Sequence, residues 1–309
     1  MKRGFLIGFA AMMLLVVAGF ILRGVFFEKP VPVTPPLGPS LPTTEEPVSE
    51  VLAPLGMQDR LVAEANIEKA VSQGEKSVKG LLELCSVGSA LEQRDALVAL
   101  FRISSDSASV AALQLLDSGD NVVQHAALTV CARTRTTEAA GKALELTHSE
   151  DILIRARAAR AIGFLMGGEA LTRLVEMLDD EAAFVRASAS ETIEALTFKE
   201  FGIRHSGYPS ERERAINELK VWLESHGGSS RFEWLQSRMK EAIVGLSSEN
   251  PWERYSSDQF VTRILGPNSY SWDLSGQQRS VAIQQIRKKW SEYRPLFETD
   301  VPLQLKMEL

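Results

Sequence analysis

From about residue 57 onward apolar residues recur at helical spacing, and no segment shows the period-two alternation of a half-buried strand. The breaks fall at glycine and polar clusters: SVGS at 86–89, DSGD at 117–120 and MGGE at 166–169. The pattern predicts one short helix after another, and a register of 31 residues runs through them. One helix position stepped by that period gives Ala96, Ala127, Ala158 and Ala189; four residues further on the steps give Leu100, Cys131, Ile162 and Ile193. A small and a larger apolar residue at i and i+4 share one helix face, and the small one lets a neighbouring helix approach closely. The preceding helix keeps the register with Leu82, Leu113, Leu144 and Val175, then Cys85, Leu116, Thr147 and Leu178, where Thr147 is the polar exception. Two helices per period, each with one apolar stripe, cannot bury a core alone and must stack on the next pair. The expected fold is all-α, an α-solenoid of stacked helix pairs over residues 57–200.

A polar signature accompanies the stripes. In LDDEAAFVRASASETIEAL, residues 178–196, Asp180 lies six before Arg186 of Val185-Arg186. In the repeat before, Asp151 lies four before Arg155 of Ile154-Arg155, and Ser149 lies six before it. The copy before that has Ser118, Asp120 and Val123, but Gln124 where arginine is expected. These residues resemble the short HEAT-like repeats of bacteria, including those named for the phycobilisome lyases, and the resemblance covers about residues 78–200. It implies a helical-repeat protein; the family name alone raises a lyase-like enzyme or enzyme accessory subunit as an alternative function. Asp151, Arg155, Asp180 and Arg186, with the four alanines, are read as structural repeat positions, Arg155 linking adjacent turns by charge-assisted hydrogen bonds. Arg157 and Arg160 match Ala126 and Thr129 in one direction and Ser188 and Glu191 in the other, so neither neighbouring repeat is basic there. Those two arginines stand as local surface charges and candidate partner contacts.

Composition changes after residue 200. All five tryptophans, Trp222, Trp234, Trp252, Trp272 and Trp290, lie in the last third, which lacks the alanine-rich register. Residues 201–309 are expected to form a helical capping module. Within it ERERAINELK, 211–220, aligns with QQRSVAIQQIR, 277–287, at an offset of 67, pairing Ala215-Ile216 with Ala282-Ile283 and Leu219 with Ile286. Trp252 and Tyr255 fall in SSENPWERYSSDQ, which reads as loop-like and off any helical stripe. They are candidate partner anchors, since exposed aromatics carry much of the energy of protein interfaces.

At the other end, Lys2 and Arg3 precede FLIGFAAMMLLVVAGFIL, an uncharged run of 18 residues, 5 to 22. That length suits a bilayer-spanning helix, and the basic flank places its start in the cytoplasm. Residues 1–28 are therefore expected to be an N-terminal transmembrane anchor or signal peptide, followed by a proline-rich linker at 29–56. The expectation places the protein in the inner membrane by a single pass, its body on the periplasmic or extracytoplasmic side. The alternative is secretion after cleavage, for which Val17-Ala18-Gly19 is a poor site.

The net charge of −6 and pI near 5.5 argue against nucleic acid as the partner. None of the four histidines, His125, His148, His205 and His226, has metal-site spacing, and His125 is placed opposite the apolar stripe of its helix. There is no GxSxG, no phosphate-cradling glycine loop and no CxxC. Cys85 and Cys131 fall on apolar positions of different repeat helices and read as buried free thiols. No catalytic residue, metal, cofactor or small-molecule ligand is expected. The function expected is a non-catalytic, membrane-anchored scaffold or adaptor of the cell envelope that binds a protein partner through its helical-repeat surface.

Overall fold

The computed structural model describes residue 52, residues 55–203 and 208–299, and residues 301, 303 and 307. The chain divides into two units, Met1–Glu45 and Glu46–Leu309, and every described residue lies in the second. Among the described residues all regular structure is helical. The α-helices are α1 (Arg60–Ser72), α2 (Glu75–Val87), α3 (Ala90–Ile103), α4 (Ser105–Leu115), α5 (Asn121–Thr134), α6 (Ala140–Leu146), α7 (Ile152–Met166), α8 (Leu171–Met177) and α9 (Ala183–Thr197), then α10 (Pro209–His226), α11 (Arg231–Gly245), α12 (Pro251–Leu265) and α13 (Gly276–Thr299).

The pairs α2/α3, α4/α5, α6/α7 and α8/α9 stack in sequence order. Ala96, Ala127, Ala158 and Ala189 are fully buried on the second helices, and so are Leu100, Cys131, Ile162 and Ile193. Burying each such large aliphatic side chain contributes about 1.5–3 kcal/mol. Thr147 is buried too, and it is satisfied there: its hydroxyl donates to the Leu144 carbonyl (2.6 Å) and accepts from Arg173 Nε (2.8 Å). Second helices pack on one another all along, α1 on α3, α3 on α5, α5 on α7 and α7 on α9, whereas among the first helices only α2 and α4 make more than marginal contact. The stack therefore closes towards its second-helix face.

The polar signature builds a lock where each second helix begins. Ser118 Oγ, Ser149 Oγ and Asp180 Oδ1 accept the backbone N–H of residues 120, 151 and 182 at 3.2, 3.2 and 2.8 Å. Asp120 and Asp151 then cap α5 and α7 by accepting the next free amides, those of Val122 and Val123 and of Leu153 and Ile154. Arg155 Nη1 donates to the carbonyls of Ser149 and Glu150 (2.9 and 3.1 Å), and Arg186 Nη1 to those of Asp180 and Glu181 (2.7 and 2.8 Å). The shorter Gln93 and Gln124 hold the carbonyls of Cys85 and Leu116 instead (3.1 and 3.2 Å). Each lock thus satisfies backbone groups that a helix end or its loop would leave without a partner.

The same lock recurs beyond the alanine-rich register. Ser248 Oγ accepts the Asn250 amide (3.1 Å), Asn250 Oδ1 accepts the Trp252 amide (3.0 Å), and Arg254 Nη1 donates to the carbonyls of Ser248 and Glu249 (both 2.9 Å). Trp252 and Tyr255 accordingly lie on α12 and not in a loop, because Asn250 caps that helix and Pro251 at its first position is pre-set for helical φ. The duplicated segments fall on α10 and α13, where Ala215, Ile216 and Leu219 and their counterparts Ala282, Ile283 and Ile286 are all buried.

Among the described residues no helix is long and apolar enough to cross a membrane. Even α13, the longest at 24 residues, is interrupted by charges such as Arg287, Lys288, Lys289 and Glu292. The single-pass inner-membrane placement expected from the sequence is therefore withdrawn. The run at 5–22 and the proline-rich stretch up to residue 51 lie outside the described residues.

The close approach of α7 and α9 depends on Gly163, where an added Cβ would come within 2.4 Å of the buried Thr192 Cγ2. Gly163→Ala is expected to cost about 1–3 kcal/mol by overpacking. Gly119→Ala, with nothing within 4 Å of the new carbon, should stay within about 0.5 kcal/mol of the parent. Equilibrium unfolding in urea compares the two; equal stability of both variants would contradict the packing described.

Candidate partner-binding face

On the second-helix side, one register position is apolar in three successive repeats and turned to solvent. Val122, Leu153 and Phe184, two residues past the start of the lock's capping position on α5, α7 and α9, are 42%, 58% and 53% exposed. Ile152 beside Leu153 is also exposed. Three such residues in line make an apolar row, and contiguous exposed apolar surface marks interaction sites. Next to the row a cleft of about 590 Å³ opens over α1, α3, α5 and α7, lined by Ile67, Val98, Arg102, His125 and Leu153 among others. Arg102 bridges Glu64 and Glu68 across the α1–α3 contact (2.8 and 2.6 Å), pairs exposed enough to be worth no more than about 1 kcal/mol each.

The arginines singled out by the sequence are engaged within the chain. Arg155 is nearly buried and reaches into the next repeat, where its Nε and Nη2 take both carboxylate oxygens of Asp180 (2.9 and 3.0 Å). Asp151 joins the previous repeat by accepting from Asn121 Nδ2 (2.8 Å). Arg160 is half-buried and its Nη2 meets Glu191 Oε2 at 2.6 Å, the residue one period on. Arg157 is half-buried as well; its Nε donates to His125 Nε2 (2.8 Å) and its Nη1 lies 3.7 Å from Met307 Sδ. The reading of both as plain surface charges is corrected: a residue with no like neighbour in register can still pair one repeat away. His125 is likewise not on an open polar face but half-buried under Arg157. Burial and the adjacent guanidinium, opposed by Asp151, push its pKa down to about 4, so it is a neutral acceptor at pH 7.

Residues 109–194 match the family model for HEAT repeats. That HEAT segment contains the whole apolar row and the locks of Gln124, Arg155 and Arg186. Among solved structures the chain is similar to the complex of CpcE and CpcF of phycocyanin lyase from Nostoc sp. PCC7120, at 14% identity and a TM-score of 0.41, over 84% of this chain and 99% of that one. It is also similar to an engineered protein, at 18% identity and a TM-score of 0.36, over 78% of this chain and 97% of that one. No curated protein matches.

Beyond the HEAT segment the tryptophans divide between core and surface. Trp234 is buried, its Nε1 donating to the His226 carbonyl (3.0 Å), and Trp222 stacks on His226 with ring centroids 4.7 Å apart. Trp252, 80% exposed, meets Tyr255 edge to face at 6.5 Å, and Tyr255 meets Trp272 the same way at 6.5 Å, which leaves an exposed aromatic trio on and beside α12. Near α12, Glu194 of α9 is pushed up to about 7 by burial and by the carboxylates of Glu200 and Glu191, against the pull of Arg263. Cys85 and Cys131 are free and buried, and burial raises both thiols to about 12, so neither is a nucleophile at neutral pH. Among the described residues no three His, Cys, Asp or Glu side chains gather as metal ligands would.

The depressed pKa of His125 gives a signed pH dependence. As pH falls the unfolded chain takes the proton first, near pH ~6.5, while the folded chain holds out to about 4, so stability present above ~6.5 is lost across that interval. His125→Gln keeps an acceptor for Arg157 without the titration. Its melting temperature should fall less than the parent's between pH 7.5 and pH 4.5; parallel profiles would remove His125 from the acid sensitivity.

Proposed function

We propose that the chain is a non-catalytic scaffold or adaptor that holds a protein partner against the second-helix face of its HEAT-like stack. The observation that carries this reading is the row of Val122, Leu153 and Phe184, apolar side chains kept in solvent at one register position where packing does not require them. Stacked helix pairs commonly present such extended surfaces to other proteins. In this reading residues 57–200 supply the surface and residues 201–309 cap the stack, with Trp252 and Tyr255 as a second anchor. Arg157 and Arg160, engaged internally, give up their place as direct contacts to the apolar row. The lyase-like alternative has behind it a repeat-family name and a distant structural likeness, neither of which reaches a residue of this chain.

A photo-crosslinking residue placed in turn at Leu153, at Phe184 and at Val110, an exposed position on first helix α4, tests the proposal in cells that make the protein. Adducts to a protein partner are expected from Leu153 and Phe184 and not from Val110, and Leu153→Asp with Phe184→Asp should lower the partner's recovery at least ten-fold while the helical circular dichroism stays unchanged. Equal adducts from both faces, or unchanged recovery with the double variant, would overturn it.

A further inference from the structure

The second-helix face is already partly covered by the chain itself. Val301 and Met307 are buried, and Leu303 is half-buried and packed on the core, although these residues lie beyond the last helix. Arg231 of α11 donates through Nη1 to the Val301 carbonyl, while its Nε and Nη2 reach the carbonyls of Leu196 and Ala195 at the end of α9 (3.5 and 3.4 Å). A Cβ built on Gly163 of α7 would lie 3.6 Å from Leu303 Cδ2, so the leucine sits over a position with no side chain. Met307 reaches Arg157 of α7, whose Nε is held by His125 of α5. Val301 thus shares Arg231 with the end of α9, Leu303 lies over α7, and Met307 lies at the α7–α5 contact.

The sequence of this segment suits that path. In VPLQLKMEL, residues 301–309, every odd position is apolar, and that spacing puts Val301, Leu303 and Met307 on one side if the chain between them is extended. Pro302 further biases Val301 towards extended backbone. The contacts that hold the segment are modest, since a thioether is a weak acceptor for a guanidinium. Attachment through the chain nevertheless supplies an effective concentration on the order of millimolar, enough for a weak ligand to occupy its site. His125 belongs both to the Arg157–Met307 contact and to the cleft over α1, α3 and α5, so the covered and open parts of the face are continuous.

We propose that Val301, Leu303 and Met307 are an intramolecular occupant of the second-helix face, and that the protein partner engages this face with an extended segment of the same chemistry, apolar at alternate positions, by displacing them. This deepens the scaffold reading and rests on it for the partner. The cis occupancy itself is tested without any partner.

The test is binding of a fluorescent peptide DVPLQLKMEL to the full-length chain, followed by anisotropy. The chain carrying Leu303→Asp and Met307→Asp is expected to bind the peptide at least ten-fold more tightly than the parent, and a peptide with the same two substitutions should bind neither. If the double variant loses its helical circular dichroism, Leu303→Ala and Met307→Ala replace it, each expected to raise peptide affinity at least three-fold. Equal affinities for parent and variants, or no binding to any of them up to about 1 mM peptide, the concentration scale of tethering, would overturn the proposal. A parent that sediments as a dimer and becomes monomeric on Leu303→Asp with Met307→Asp would also overturn it, because the segment would then be exchanged between copies. Loss of peptide competition leaves the crosslinking result for Leu153 and Phe184 untouched, so the two readings fail separately.

Discussion

The stack depends on the loop inside each helix pair, which one arginine or glutamine per repeat ties to the start of the second helix. In Arg155 this device is most complete. One guanidinium holds two loop carbonyls of its own repeat and both carboxylate oxygens of Asp180 in the next, and it does so nearly buried. Burial by itself would raise the pKa of Asp180, but hydrogen bonds from Arg155 and the Ala182 amide, with the nearby arginine charges, hold it below the usual carboxylate value. Arg155 in turn is held above its own usual value, first by the hydrogen bond to Asp180. A planar fork of donors is what lets a single residue satisfy carbonyls on one side and a carboxylate on the other, and lysine could not reproduce it.

With the loops fixed, the buried alanines bring the second helices together, and the face they make carries apolar side chains in solvent. That face is also where ionisation is perturbed. His125 is kept neutral beside Arg157, and Glu194, further along the same row of helices, holds its proton up to about pH 7. The two act in opposite directions: His125 withdraws stability as pH falls towards 4, whereas Glu194, favoured in its neutral form, withdraws it as pH rises through about 7. Both carry the cost of burying a titratable group.

Much of the stack was legible because it repeats. The alanine series and its i+4 partners could be read from spacing alone, and so could the paired buried positions of α10 and α13. The lock in α12 was equally legible in principle, since Ser248, Asn250 and Arg254 repeat the spacing of Ser149, Asp151 and Arg155. No apolar stripe marks it, because Trp252 and Tyr255 join none. The apolar row of Val122, Leu153 and Phe184 was missed for a similar reason: it keeps the register but lies outside the stripe that packs. Arg157 could not be resolved from local pattern at all, because its contact with Met307 spans 150 residues of sequence and lies outside any repeat.

The account stands or falls on whether Arg155 and Asp180 act as one unit across the repeat boundary. A double-mutant cycle of Arg155→Ala and Asp180→Ala, followed by urea unfolding at pH 7, measures this directly. The account predicts a coupling energy of about 1.5–3 kcal/mol, the range of a hydrogen-bonded pair within one network. Effects that add to within about 0.5 kcal/mol would show two independent surface groups and would contradict it.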